Sequence, residues 1–199
     1  MNMDNYFTGD KLTRTFTKQR GETTVDYVFT CRSSLFDASK AEASLLILNA
    51  YMKQVIQHGT IYKELGCSNC KEIFGLEFGQ RKSEVINICR KANHLGKGRE
   101  MHDIVQNYFI KNDVYTICTE LPVFSNKYNR NGFIDLVRYD PVKDILWILD
   151  FKPNAHKERY QKVMSQLFWY RYMLAELLGL PDTMFKCAYF DDINFYELI

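Results

Sequence analysis

Asp135 stands inside the apolar run GFIDLV, Asp150 closes the run ILWILD, and Lys152 follows two positions later. Burying a carboxylate in a hydrophobic strand costs several kcal/mol unless the charge is paired or bound to a cation, so both aspartates require an explanation. Side chains alternate along a strand, so Asp150 and Lys152 share one face and Phe151 takes the other. If the two strands pair, Asp135 converges on that face too. Two carboxylates and one ammonium at a sheet edge suit metal-dependent phosphodiester hydrolysis. Hard oxygen ligands hold magnesium or manganese, the metal polarises the phosphate and lowers the pKa of a bound water, and the lysine positions that water or stabilises the developing charge. Taken alone, the three residues fit equally well a surface pair, Asp150 with Lys152, and a bulge capped by Asp135.

The elements that must position these residues show as a change of hydrophobic period. Residues 37–57 (DASKAEASLLILNAYMKQVIQ) predict a helix with Asp37 or Ser39 as N-cap, Ser83 to Lys91 predicts a second, and Gly98 opens a third. On that third helix Met101, Ile104, Val105, Tyr108 and Phe109 fall on one stripe. Residues 114–124, 132–139 and 145–152 are β-branched or aromatic runs separated by SNKYNRN and DPVKD, which predicts an antiparallel meander. A long helix over about 157–178, stopped by Gly179 and Pro181, leads to a last strand at 184–190 and a short FYEL segment. A helix between two strands of one sheet implies a crossover, hence a mixed sheet with helices packed on it.

Five motifs occur in series: G-x-x-x-H (Gly98 to His102), Glu120 in TELPVF, G-x-x-D (Gly132 to Asp135), D-x-K (Asp150 to Lys152) and Q-x-x-x-Y (Gln166 to Tyr170). In order and spacing they resemble the RecB-type nuclease domain of the PD-(D/E)XK superfamily, over roughly residues 98–199 and including the closing CAYFDDINFYEL. The resemblance implies an α/β (α+β) fold, a central mixed β-sheet flanked by helices with a restriction-endonuclease-like core. It implies a magnesium- or manganese-dependent deoxyribonuclease whose products carry 5′-phosphate and 3′-hydroxyl ends. His102, Asp135 and Asp150 match the family's metal ligands, the backbone carbonyl of Phe151 a further ligand, and Lys152 the catalytic lysine. Glu120 matches an often acidic position that holds a second metal through water, and Gln166 and Tyr170 match residues that position the site. Ile134 precedes Asp135 where the superfamily name describes proline, as is common in the RecB branch. An iron–sulfur cluster is not expected, because only Cys187 lies downstream of Lys152 where three cysteines are needed.

The 199 residues, 46% hydrophobic and 25% charged, predict one folded domain; the resemblance implies that 98–199 is its catalytic core and that the mainly helical part over 1–97 guides DNA. Net charge is +2, distributed as +4 over 1–111 (16 Lys/Arg, 12 Asp/Glu) and −2 over 112–199 (10 against 12). Arg81, Lys82, Arg90, Lys91, Lys97 and Arg99 face only Glu84 before Glu100, a candidate phosphate-tracking surface or a solvated helix face. Tyr62, Phe74 and Phe78 are available for base stacking. Cys67, Cys70, Cys89 and His94 have a spacing that a tetrahedral zinc site could use; the irregular second pair and the apolar Ile86 and Ile88 beside Cys89 favour free thiols. No run of about 18 uncharged apolar residues and no apolar stretch over 1–14 occur, so an intracellular, cytoplasmic protein without disulfides or membrane contact is expected. The implied partners are DNA, as single strands or ends, and a helicase or recombination protein. Two other readings compete: a non-catalytic nucleic-acid-binding protein on the same scaffold, and an RNA endonuclease.

Overall fold

The computed structural model describes residues 11–20, 22–33, 43–58, 75–96 and 100–199. Asp37, Ser39, Tyr62, Cys67, Cys70, Phe74, Lys97, Gly98 and Arg99 lie outside them. In chain order the elements are β1 (Lys11–Arg20), β2 (Thr23–Arg32), α1 (Ala43–His58), β3 (Phe78–Gln80), α2 (Glu84–Asn93) and α3 (Met101–Asn112). They continue with β4 (Thr116–Ser125), β5 (Arg130–Asp140), β6 (Ile145–Phe151), α4 (Tyr160–Leu178), β7 (Phe185–Phe190) and β8 (Phe195–Leu198).

The strands form one mixed sheet in the order β1-β2-β4-β5-β6-β7-β8-β3. β4, β5 and β6 are the predicted meander. β6 and β7 pair in parallel, Leu146 against Phe185 through Phe151 against Phe190, across the α4 crossover. α4 ends at Gly179, whose φ of 63° is the left-handed region that glycine enters without a Cβ penalty. Ser83 caps α2 by accepting from the Val85 amide at 3.2 Å, at the start of the helix predicted over Ser83 to Lys91.

Among the described residues the N-terminal part is strand as well as helix, where a mainly helical part is expected. β1 and β2 form a hairpin ten residues long, Lys11 against Arg32 through Arg20 against Thr23, and join β4 at Thr30–Thr119 and Cys31–Cys118. The cause is a two-residue period. Leu12 and Phe16 alternate with Thr13, Thr15 and Thr17, and Tyr27, Phe29 and Cys31 alternate with Asp26, the exposed Val28, Thr30 and Arg32, a pattern that buries one sheet face and disfavours a helical stripe. Arg14 then ties the hairpin to the end of α1, its guanidinium donating to the Ile56 carbonyl at 2.6 Å.

The sheet carries helices on both faces. α1 and α4 cover one side in a core that includes Phe29, Leu48, Met52, Leu121, Ile148 and Leu167. α2 and α3 cover the other, packing Val85, Cys89, Val105 and Phe109 on Leu136, Leu149 and Phe190. Where α3 meets the sheet, a buried ion network fixes its end. Arg138 on β5 donates twice to Asp113, at 2.6 and 3.0 Å, and to Glu84 at 2.7 Å, while Arg32 on β2 donates to the Asp113 carbonyl at 3.0 Å. Removing one partner of a buried pair leaves the other charge uncompensated. Asp113→Ala is therefore expected to destabilise the fold by about 3–5 kcal/mol in urea denaturation, and a loss below about 1 kcal/mol would mean that the network carries no such weight.

Candidate active site

The β5–β6 ladder sets Leu136 against Leu149 and Val137 against Ile148, leaving Asp135 and Asp150 next in line where the ladder ends. Both are buried, at 7% and 1% exposure. In place of a continued ladder, the Phe151 amide donates to Asp135 Oδ2 at 2.8 Å. Lys152 leaves β6 with its amide on the Phe190 carbonyl at 2.9 Å, and its Nζ returns to within 2.5 Å of Asp150 Oδ2. The contact is a close, charge-assisted ion pair, and Lys152 is the partner of that oxygen. The two aspartates and the lysine therefore share one corner, as strand alternation predicts.

Helices α3 and α4 close the corner from opposite faces. His102, in the first turn of α3, places Nδ1 3.6 Å from Asp135 Oδ2 and sets its ring edge-on to Phe151 at 5.2 Å. One turn later Gln106 donates from Nε2 to Glu120 Oε1 at 2.5 Å. Glu120 lies on β4 between the pairs Thr119–Leu136 and Leu121–Ile134, beside Asp135. Its φ of 51° is a left-handed conformation held against a cost of order 1–3 kcal/mol. From α4, Gln166 Nε2 lies 3.3 Å from Asp150 Oδ1 and 2.9 Å from the Tyr170 hydroxyl. The Tyr170 ring rests on Gly132, where a Cβ would come within 2.4 Å of a ring carbon. The glycine of G-x-x-D thus makes room for the tyrosine of Q-x-x-x-Y.

The turn after Lys152 is held from the β7–β8 connection. Asp191 accepts from the amides of Ala155 and Ile193, both at 2.8 Å, and of Asn194 at 2.5 Å. Two residues the sequence did not single out therefore belong to the site's support. Gln106 left a legible signal, standing four positions after His102 and so on the same helix face. Asp191 left none, because its role depends on a contact 36 residues away.

Burial dominates the electrostatics. It raises the Asp135 and Asp150 carboxyls, Asp150 to about 6, against the pull of the Lys152 charge. Burial works against the Lys152 ammonium, but Asp150 and Asp135 outweigh it and hold its pKa above the ordinary value. Burial and the neighbouring Lys152 lower His102, which keeps the imidazole neutral near pH 7 and free to act as a nitrogen ligand. Glu120 rises furthest among these groups with a stated value, to about 8, through burial and then the Asp135 charge.

The buried Glu120 Oε2 accepts no hydrogen bond from the described residues, and Asp150 Oδ2 is held by Lys152. Hard oxygen donors beside a neutral imidazole match the chemistry of magnesium or manganese, and His102, Asp135, Asp150 and Glu120 are the residues that could hold such an ion. As the side chains stand, no three His, Cys, Asp or Glu among the described residues form a closed ligand set. The charge facing the carboxylates is instead Lys152.

The remaining sequence candidates lie elsewhere. Arg81 sits 3.6 Å from Glu197, and Arg90 donates to the Asp192 carbonyl at 3.1 Å, so both engage the β7–β8 side, while Lys82 and Lys91 are exposed. Phe78 packs edge-on against Tyr189 at 4.8 Å rather than standing open for stacking. Cys89 is buried in the α2–α3 core with its thiol pushed up by burial, whereas His94 is exposed at the end of α2. These two are not drawn together, and Cys67 and Cys70 fall outside the described residues. Comparison with protein-family models, curated proteins and solved structures finds no match to this chain. Among the described residues no helix is long and apolar enough to cross a membrane.

The Glu120 carboxyl gives a pH signature. Its folded pKa is raised from 4.5 to about 8, so the unfolded state releases its proton first and stability falls as pH rises between those values. Asp150, half titrated at about 6, and His102, whose lowered pKa acts in the opposite sense, share this window, so the Glu120→Gln comparison isolates the Glu120 contribution where the wild-type slope alone does not. For metal-free protein, Glu120→Gln is expected to flatten that decline and to add about 1–2 kcal/mol of stability at pH 8. Parallel denaturation curves at pH 6 and 8 for both proteins provide the test, and an unchanged slope would contradict it.

Proposed function

We propose that this chain is a magnesium- or manganese-dependent nuclease that hydrolyses DNA phosphodiester bonds. The observation that carries the reading is the meeting of Asp135, Asp150 and Lys152 in one buried corner, with His102 and Glu120 brought to it by α3 and β4. A stability role alone accounts poorly for it, since buried carboxylates in apolar strands are costly and a hydrophobic replacement would pack as well. The resemblance to the RecB-type domain supports the same reading by the order of its motifs, and it supplies the choice of DNA.

In this reading His102, Asp135, Asp150 and the Phe151 carbonyl hold the ion and Glu120 assists. When bound, the ion would neutralise phosphate charge and make a water more acidic. The residues do the rest. Lys152, held as an ammonium beside Asp150, donates to the reacting phosphate or orients the attacking water. Gln166 fixes the second Asp150 oxygen and is itself fixed by Tyr170, so Asp150 cannot rotate away from Lys152. Neutral His102 contributes a lone pair at neutral pH, and burial of the corner strengthens every charge interaction there.

The test is cleavage of end-labelled and circular DNA, single- and double-stranded, with magnesium, manganese or EDTA. Wild type should cut only with metal, Asp150→Asn and Lys152→Ala should each lose about 10²–10³-fold in rate, and the circular substrates separate internal from terminal cutting. A wild type that cuts none of them, with DNA affinity indifferent to EDTA, would establish a binding protein instead.

A further inference from the structure

The turn between β4 and β5 carries an aromatic and cationic cluster that the hydrolytic site does not use. Ser125 and Asn126 shape the turn, the Ser125 hydroxyl accepting the Tyr128 amide at 3.4 Å and the Asn126 carbonyl the Asn129 amide at 3.4 Å. Tyr128 projects from it and stays 41% exposed. Beneath it lie Trp169 at 5.2 Å and Tyr172 at 5.3 Å, both from α4, and these two rings contact each other at 5.7 Å. Lys127 Nζ stands 4.9 Å from the Tyr128 ring centre, and the Arg130 guanidinium lies 4.0 Å over Trp169. Residues 121–134 and 159–175 contain no acid, and the carboxylate that faces this end of α4 is Glu176.

An exposed tyrosine braced by two further rings and flanked by a lysine and an arginine is a surface that an unstacked base and its phosphate would both recognise. Duplex DNA keeps its bases stacked on each other and offers this ring only a backbone. The cluster is also continuous with the site. Trp169 and Tyr172 follow Gln166 by three and six residues on α4, about 4 to 9 Å along the axis, and Arg130 lies two residues before Gly132, on which Tyr170 rests. That distance is the reach of a few nucleotides at about 3.4 Å each.

We propose that Tyr128, braced by Trp169 and Tyr172 and flanked by Lys127 and Arg130, is a stacking platform that holds single-stranded nucleic acid as it leaves the Asp135–Asp150–Lys152 corner. The proposal rests on the nuclease reading for its direction and adds the strand preference that the corner alone does not determine. It also adds a nucleic-acid contact at the β4–β5 turn to the basic residues over 81–99.

Binding is measured in EDTA by fluorescence anisotropy, with a labelled oligothymidylate of about 20 nucleotides and a duplex of equal length. Wild type is expected to prefer the single strand, Tyr128→Ala to weaken that binding about tenfold while remaining folded by circular dichroism, and Tyr128→Phe to restore it. Hydrolysis of bis(p-nitrophenyl) phosphate by wild type with manganese, a substrate without a base, reads the nuclease assignment separately. Oligothymidylate affinity unchanged in Tyr128→Ala, or equal affinity for both probes, would overturn the platform whatever the hydrolysis result. A tenfold loss without any hydrolysis would keep the platform and discard the nuclease.

Discussion

The structure turns on the gathering of three carboxylates, the buried Asp135 and Asp150 and the half-buried Glu120, in one corner of a hydrophobic sheet. Like charges in a low-dielectric setting repel each other and lose hydration, so the corner persists only if cations and donors are fixed around it. Each neighbouring element supplies one. The end of β6 brings the Phe151 amide and Lys152, α3 brings His102 and Gln106, and α4 brings Gln166. The parallel β6–β7 pair and its crossover helix are what allow α4 to reach over the β6 end. Asp191 and the Asp113–Arg138 network, both outside the corner, hold the two segments that carry Lys152 and His102.

Much of this was legible because the responsible physics is local. Strand alternation places Asp150 and Lys152 on one face, and the helix signals around Ser83 and Gly179 mark real ends. The i, i+4 spacing of Gln166 and Tyr170 becomes a hydrogen bond. What escaped depends on contacts distant in sequence or on weak periods. The β1–β2 hairpin is written in threonines alternating with a few apolar residues, and the strong helix formers of α1 overshadowed it. The mainly helical reading of the N-terminal part missed the hairpin for that reason. Gly132 shows the opposite case, a motif glycine whose cause is visible only when the Tyr170 ring is seen against it.

Charge placement also differs from the expectation built on sequence order alone. The basic run over 81–99 reads as one surface along the chain, but Arg81 and Arg90 are engaged with the β7–β8 side of the sheet. Lys127 in the β4–β5 turn and Arg130 at the start of β5, only two charges, gain weight because α4 delivers Trp169 and Tyr172 beneath the same spot. Aromatic contacts split between Tyr128 in a turn and Trp169 and Tyr172 on a distant helix have no signature in a window of sequence.

The central claim is that the buried corner is built to hold a divalent cation. Calorimetric titration of metal-free protein with manganese, wild type beside Asp150→Asn, tests it most directly, because it needs neither substrate nor turnover. The account predicts saturable binding to wild type and at least a tenfold weaker affinity in the variant, which loses about 1.4 kcal/mol or more of binding free energy. Binding that is absent in wild type, or equal in both proteins, would contradict it.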